Sequence, residues 1–160
     1  MSGMQDQRII EIKLDERTVV RRSPEIEHER AVAIYDLLED NRFVPQADYA
    51  GPFIVFLTVE ERTRLVMEIR DPQDSPLDRI KLPLQPFRRI IRDYFQICES
   101  YFDAIKRLSP SQIETIDMAR RGIHNEGSEI LIERLKEKVE IDMDTARRLF
   151  TLLCVLHFRG

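Results

Sequence analysis

The chain has 160 residues, 42% hydrophobic and 34% charged, which is typical of a globular protein with a buried core and favours a single domain over residues 1–160. Its net charge of −4 is opposite to the basic balance of general nucleic-acid-binding proteins, so we expect no nucleic-acid partner. No apolar run has the length of a membrane span and residues 1–7 lack the apolar core of a signal peptide, so we expect a cytoplasmic protein without a membrane partner.

The first part of the chain, residues 8–41, predicts a strand followed by a helix. Apolar and charged residues alternate over 10–14, as in a half-buried strand. Ser23 and Pro24 form a helix start signal, in which the serine caps the helix and the proline occupies its first position. Apolar residues then recur at helical spacing, and the helix is predicted to end near Asn41.

Residues 52–84 predict an antiparallel β-meander with one face exposed to solvent. Two strands of alternating pattern are joined by a turn at Glu61 and Arg62. The segment 71–76 consists of turn-forming residues. A third strand follows, and Pro83 indicates that it is an edge strand or ends there.

From residue 86 to 158 the pattern is helical. The first helix carries apolar residues over a wide arc, from Phe87 to Ile105, and is expected to be buried on most sides. A second Ser-Pro start signal at 109–110 begins a helix that is predicted to run toward Val139. The last helix, capped by Asp142 or Asp144, is apolar nearly all round, which is typical of a helix at the centre of a core.

This order of elements predicts an α+β fold, in which a small antiparallel meander of three to four strands packs against four helices. The N-terminal strand is the possible fourth member of the sheet. Residues 43–52 are expected to form a loop, and the C-terminal half is expected to be entirely helical.

The segment 120–127 places cations, an imidazole, an amide and a carboxylate inside an otherwise amphipathic helix. The apolar phase continues across it, which favours one unbroken helix with Arg120 and Gly127 toward the core. A glycine at such a position lets another group approach closely. The alternative is a break, with Gly122 ending one helix and Asn125 capping the next. Both geometries predict a polar pocket.

The ligand-binding candidates of this segment are Arg120, Arg121, His124, Asn125 and Ser128. An arginine that faces the core needs a carboxylate or an anion as its partner. A carboxylate such as Asp93 or Glu99 would make the cluster structural, whereas an anion would make it a binding site. No catalytic residue is assigned. In an enzyme, His124 and Glu126 would supply acid–base chemistry, but residues two apart on a straight helix point in different directions.

Arg88 and Arg92 open the preceding helix and would extend the same pocket into a phosphate or carboxylate clamp. Arg89 is instead expected to pair with Asp93 on the surface. The three histidines lack the spacing of a metal site, and the two cysteines have no CxxC pattern and are interpreted as reduced core residues. We therefore predict neither a metal nor a cofactor.

Several blocks of the sequence resemble a known bacterial family. They are IEHERAVAIYDLL (26–38), PFRR (86–89), ICESY (97–101), the segment 120–127, DTARRLF (144–150) and LHFRG (156–160). Together they resemble uncharacterised protein family 0262 of the UPF series. The resemblance covers most of the chain and implies a small bacterial protein without an assigned activity, cofactor or catalytic residue.

The leading hypothesis is a non-enzymatic regulator or adaptor that binds a protein partner or a small anionic ligand around Arg120, His124 and Asn125. One alternative is an enzyme that hydrolyses RNA or a phosphoester with His124. A weaker likeness to HEPN-type ribonucleases supports it, although only three residues separate Arg120 from His124 and the β-rich first half differs from that all-helical fold. The other alternative is a self-associating structural module, a homo-oligomer.

Overall fold

The computed structural model describes residues 6–16 and 24–157. Its elements follow the chain in this order: β1 (Ile9–Leu14), α1 (Pro24–Glu39), β2 (Phe43–Pro45), β3 (Phe53–Glu60), β4 (Arg64–Arg70), β5 (Pro76–Pro83), a 3-10 turn (Gln85–Phe87), α2 (Arg88–Arg107), α3 (Pro110–Leu135), β6 (Val139–Ile141) and α4 (Met143–His157). Helices packed on a small sheet confirm the predicted α+β class.

The main sheet has the strand order β1-β3-β4-β5, with β5 at an edge as Pro83 indicated. The meander of β3, β4 and β5 is antiparallel, as predicted. β1 pairs with β3 in parallel, so the sheet is mixed rather than wholly antiparallel. A parallel neighbour needs a crossover, and α1 lies within the connection between these two strands. The pairing is irregular between Ile9 and Glu11, and Ile9 is fully buried.

The turns of the meander follow the predicted chemistry. Glu61 and Arg62 both have positive φ angles, 52° and 61°, at the tight connection between β3 and β4. The Asp71 carboxylate accepts hydrogen bonds from the backbone N–H groups of Gln73 and Ser75, 2.9 Å away in each case. This side-chain bonding stabilises the reversal before β5.

A second sheet of two short strands was not predicted. β2 pairs antiparallel with β6, with Phe43 opposite Ile141. The expected loop at 43–52 therefore contains a strand, the C-terminal half is not entirely helical, and α3 ends at Leu135 rather than near Val139. Three residues are too few for alternation to be recognised, and these partners lie far apart in the sequence.

Both ends of α1 carry the signals that delimit it. Pro24 occupies the first helical position, as predicted, while the predicted cap Ser23 lies outside the described residues. At the other end the Asn41 side chain donates to the Leu37 carbonyl at 2.8 Å and accepts from the Ile9 N–H at 2.7 Å. One amide thus closes the helix and attaches it to β1.

α4 is the central helix of the core, as its pattern predicted. It is buried from Thr145 to Leu156 except at Arg147 and Arg148, and packs against α1, α3 and β3. The Asp142 carboxylate accepts from the Thr145 N–H at 3.0 Å and so caps the helix. None of the described helices has the length and apolarity needed to cross a membrane.

α2 and α3 form an antiparallel helical hairpin. Ser109 and Gln112 form a reciprocal capping box at the start of α3, which confirms the start signal. α3 is continuous through the segment 120–127, so the predicted break does not occur. The wide apolar arc expected on α2 is exposed at its end, where Ile105 retains 51% of its accessible surface.

Candidate functional site

A cleft of about 430 Å³ opens between α1 and α3. Both helices pack against α4 and make little contact with each other, so α1 and α3 form the two walls and α4 lies between them. Tyr94 of α2 adds an aromatic ring to the lining. The charged residues that line this cleft are Glu29, Asp36, Arg120, Arg121, Arg147 and Arg148.

Four of the predicted candidates meet in the cleft, namely Arg120, Arg121, His124 and Asn125. Ser128 does not line it, because that side chain is fully buried and its hydroxyl donates to the His124 carbonyl at 2.7 Å. Arg88 and Arg92 are exposed on α2 and contribute nothing to the lining. The arginines that line the cleft come from α3 and α4, and none of them comes from α2.

Arg120 is held by carboxylates and an aromatic ring. Its Nη2 lies 2.9 Å from Asp117 Oδ1 and its Nη1 lies 3.4 Å from Glu29 Oε1. The guanidinium carbon stands 4.4 Å from the centre of the Tyr101 ring, within the range of a cation–π contact. The hydrogen bond from Arg120 lowers the pKa of the Asp117 carboxyl. Only 23% of the Arg120 side chain is exposed, so this residue is mainly part of the wall.

The carboxylates expected for this arginine bind elsewhere. Asp93 pairs with Arg89 at 3.1 Å, which confirms the surface pair that was predicted. Arg89 also bonds Glu126 Oε1 at 2.8 Å, on the side of α3 that faces away from the cleft. Glu99 is exposed on α2. Arg120 thus has carboxylate partners, but they are not Asp93 or Glu99.

Arg121 and Arg148 are held less firmly. Arg121 contacts Asp117 at 2.6 Å, yet 73% of its side chain is exposed. Arg148 Nη2 lies 3.7 Å from Asp36 Oδ2, which exceeds the 2.7–2.9 Å typical of a charge-assisted hydrogen bond. Exposed ion pairs of this kind are worth about 0–1 kcal/mol, so both guanidinium groups can exchange partners at little cost.

Arg147 connects α4, which forms the floor of the cleft, to α3. Its Nε donates to Asn125 Oδ1 at 3.1 Å, and its Nη1 donates to Asp144 Oδ1 at 3.0 Å. The first bond fixes the orientation of the Asn125 amide, because the oxygen must face the arginine. Asn125 is consequently a positioned amide within the cleft.

His124 is held by a hydroxyl and two rings. The Thr151 hydroxyl donates to the Arg147 carbonyl at 3.1 Å, and its oxygen lies 2.7 Å from His124 Nε2. This short contact fixes the orientation of the imidazole ring. The ring centre lies 5.7 Å from that of Tyr94 and 5.5 Å from that of Phe150.

Burial, and after it the positive charges of Arg147, Arg120 and Arg148, lower the pKa of His124 to about 4. The imidazole is therefore neutral at neutral pH. A base with this pKa is poorly matched to proton transfer near pH 7. Glu126 faces away from the cleft toward Arg89, so the pair considered for acid–base chemistry does not form.

Gly127 positions the ring that supports His124. An added Cβ at Gly127 would overlap the fully buried ring of Phe150, which confirms the predicted close approach. Gly122 has open space around the same position, so packing does not require a glycine there. One of the two glycines in the segment thus shapes the site and the other does not.

The buried thiols are not nucleophiles. Cys98 and Cys154 are free and buried, as predicted. Burial raises the pKa of Cys98 to about 11 and raises the pKa of Cys154 well above its usual value, so both thiols are protonated at neutral pH. Among residues 6–16 and 24–157, no three His, Cys, Asp or Glu side chains converge in a way that could hold a metal ion.

The residues that α1 and α4 contribute to the cleft were not predicted from the sequence. Glu29 and Asp36 stand seven residues apart on α1 and so share one face, a signal that is visible in the sequence. Arg147 and Arg148 are adjacent in the sequence and belong to no binding motif. Their convergence with α3 depends on how the helices pack, which the spacing does not reveal.

Comparison with known proteins identifies the relatives of this chain. The sequence model of uncharacterised protein family UPF0262 matches residues 6–159. A UPF0262 protein of Paramagnetospirillum magneticum is 57% identical over 154 residues, covering 96% of this chain and 98% of its own length. Another, of Rhodospirillum rubrum, is 60% identical over 152 residues, with coverages of 95% and 93%. No solved structure matches this chain significantly. The chain therefore belongs to the UPF0262 family, as the sequence blocks indicated.

Proposed function

We propose that the cleft binds a small organic anion carrying a phosphate or carboxylate, and that the protein acts through this binding as a non-enzymatic regulator. The observation that supports it is the convergence of four arginines from α3 and α4 on one cleft. Two carboxylates share that lining, and Asp117 and Asp144, which lie outside it, pair with Arg120, Arg121 and Arg147. The attraction for an anion therefore comes from the guanidinium groups whose ion pairs are long or exposed, those of Arg148 and Arg121.

The donors for the ligand are the arginines with replaceable partners. Arg148 and Arg121 exchange weak or exposed ion pairs for the anion, whereas Arg120 keeps its carboxylates and its ring contact. Guanidinium groups bind phosphate and carboxylate in bidentate geometry. The volume of about 430 Å³ suits a small organic molecule better than an extended polymer.

Hydrolysis with His124 has less support. Proton transfer near neutral pH needs a group whose pKa lies close to the operating pH, and the pKa of His124 is about 4. The second group expected for that chemistry, Glu126, is bonded to Arg89 outside the cleft. A neutral imidazole that is hydrogen-bonded to Thr151 is better suited to holding the wall in place.

Thermal unfolding in the presence of phosphate or sulfate tests the proposal, with chloride at equal ionic strength as the reference. A ligand that binds only the folded state raises the melting temperature with its concentration. We expect both oxyanions to raise it more than chloride does. The double variant Arg121→Ala/Arg148→Ala should lose that difference, and Arg92→Ala, which removes an exposed arginine away from the cleft, should keep it.

Equal stabilisation of the wild type and the double variant would overturn the proposal, because the oxyanions would then act outside the cleft. Incubation with model phosphoesters and RNA covers the enzymatic alternative. Turnover that disappears in His124→Ala, in a variant that still unfolds cooperatively, would replace the regulator with a hydrolase. Titration calorimetry of the same variants then gives the affinity change directly.

A further inference from the structure

The negative and positive charges that line the cleft lie on different helices. The α1 wall carries two carboxylates, Glu29 and Asp36, with the apolar Val32 and Ala33 between them. The residues that line the opposite wall and the floor are cationic or neutral, since α3 contributes two arginines, His124 and an amide, and α4 contributes two more arginines and a hydroxyl. Asp117 and Asp144 pair with three of these arginines from outside the lining. A ligand that spans the cleft therefore meets negative charge on one side and positive charge on the other.

The contacts of these two carboxylates with the arginines of the cleft are also long. Glu29 Oε1 lies 3.4 Å from Arg120, and Asp36 Oδ2 lies 3.7 Å from Arg148. Both distances exceed those of a short charge-assisted hydrogen bond. The Asp36 side chain is 39% exposed, so its oxygens are open to a group that enters from solvent. Seven residues of helix separate the two carboxylates by roughly 10 Å along α1.

A simple anion uses only part of this arrangement. An anion beside Arg148 comes close to the charge of Asp36, because these two side chains face each other across the cleft. Like charges at such distances repel, and the repulsion reduces what the arginines contribute. A ligand that carries an ammonium group beside its anionic group turns that repulsion into attraction.

Resting on the proposed function, we infer that the ligand of this cleft is a small zwitterion, with a phosphate or carboxylate bound at Arg121 and Arg148 and an ammonium group bound at Asp36. The anion takes the side of α3 and α4, and the cation takes the side of α1. A chain of a few carbon atoms joins the two groups from one side of the cleft to the other, beside the apolar Val32 and Ala33 that also line it.

The opposite interpretation is that Asp36 serves only as an internal counter-ion for Arg148. The two interpretations predict opposite changes in the affinity for zwitterions when Asp36 is replaced by asparagine. As a counter-ion, Asp36 competes with every ligand anion, so Asp36→Asn should raise the affinity for all of them. As a ligand group, Asp36 binds the ammonium, so Asp36→Asn should lower the affinity for zwitterions while raising it for plain anions.

Pairs of ligands that differ only in an ammonium group distinguish the two interpretations. O-phosphoethanolamine and propyl phosphate have the same number of heavy atoms and differ in a terminal ammonium or methyl group. At pH 8 their phosphates are doubly ionised and the amine is charged. Titration calorimetry should give wild-type protein about tenfold tighter binding of O-phosphoethanolamine, the gain from one charge-assisted contact. γ-Aminobutyrate and valerate form the same comparison for a carboxylate, and show which anionic group is preferred.

The variant Asp36→Asn should bind propyl phosphate more tightly than the wild type and O-phosphoethanolamine more weakly, so that the preference disappears. Glu27→Gln removes an exposed carboxylate from α1 outside the cleft and should leave the preference intact. Glu29→Gln adds a second measurement only if its thermal unfolding matches the wild type, because Glu29 also holds Arg120.

The outcomes distinguish the two proposals. If neither probe binds, the anion site itself is absent and both proposals fail. If propyl phosphate binds as tightly as O-phosphoethanolamine, or if Asp36→Asn strengthens the binding of both, the anion site stands and the zwitterion is wrong. Loss of binding of both probes in Glu27→Gln would also contradict the inference, because it would attribute the effect to the overall charge.

Discussion

The two halves of α3 have different surroundings although they belong to one continuous helix. Residues 110–122 contribute no buried side chain, and Arg120 of this half lies over the Tyr101 ring of α2. Residues 123–135 contain all four buried positions of the helix, namely Gly127, Ser128, Leu131 and Leu135, and this half packs against the central helix α4. The outer half is therefore shaped by helix chemistry, and the inner half by the core.

The candidate site lies where the two halves meet. Arg120, Arg121, His124 and Asn125 occupy this boundary. Burial is incomplete there, so polar groups lose part of their water without being enclosed. The result differs between neighbours, since Arg120 is locked by carboxylates and a ring while Arg121 is mostly exposed. A binding site needs both kinds of group, one to hold the wall and one to reach the ligand.

The largest effect is expected from a substitution in the inner half, Gly127→Ala. The added methyl group would overlap the ring of Phe150, which is fully buried and cannot move aside freely. Overpacking of this kind should outweigh the gain in helix propensity and lower the free energy of unfolding by about 2–3 kcal/mol. Urea denaturation followed by circular dichroism measures this change.

A second substitution tests the cause of that loss. Phe150→Leu shortens the side chain that meets the new methyl group, so the double variant should lose less stability than the sum of the two single variants. Additive losses would show that Gly127 is not limited by the ring. They would also remove the distinction between the two halves, because a core constraint would no longer explain the inner glycine.

At the boundary, the pH dependence of stability reports the burial of His124. Its pKa in the folded protein is about 4, below the ordinary value of 6.5 that applies to the unfolded chain. As the pH falls below 6.5 the unfolded state takes up the proton first. The stability that comes from the neutral imidazole is therefore fully present above pH 6.5 and is lost between pH 6.5 and pH 4. Between pH 7 and pH 5 the loss should be about 2 kcal/mol.

The variant His124→Gln isolates this contribution, because carboxylates also begin to titrate toward pH 4. Between pH 7 and pH 5 the free energy of unfolding of this variant should fall by about 2 kcal/mol less than that of the wild type. NMR titration of the imidazole resonances gives the pKa itself. A pKa near 6.5 would show that the imidazole keeps its water, and would contradict the partial desolvation inferred for the boundary.

The elements that the sequence predicted correctly are those whose local pattern is long and strong. α4 is apolar over several turns, and the meander alternates over strands of seven to eight residues, so each pattern selects one structure. β2 and β6 were missed because each has three residues and gains its stability from a distant partner. The parallel pairing of β1 was missed because alternation does not encode strand direction.

The candidate site shows the same division. Arg120, His124 and Asn125 were recognised because polar residues interrupt the apolar phase of α3, and that anomaly is local. Asp36 and Arg148 were not recognised, because an isolated charge on a helix has the same pattern whether it faces solvent or a cleft. Only the packing of α1 and α3 against α4 brings these groups together.

The smallest effect, and the one that sharpens the comparison most, is expected from Gly122→Ala in the outer half. This is the same substitution in the same helix, five residues before Gly127, and the added methyl group meets no atom within 4 Å. Without a steric cost, only helix propensity changes, and it favours alanine by about 1 kcal/mol. We therefore expect a rise in melting temperature of about 2–4 °C, measured by calorimetry. A fall would mean that the outer half has a packing partner at this position, and the difference between the two halves of α3 would then be one of degree rather than of kind.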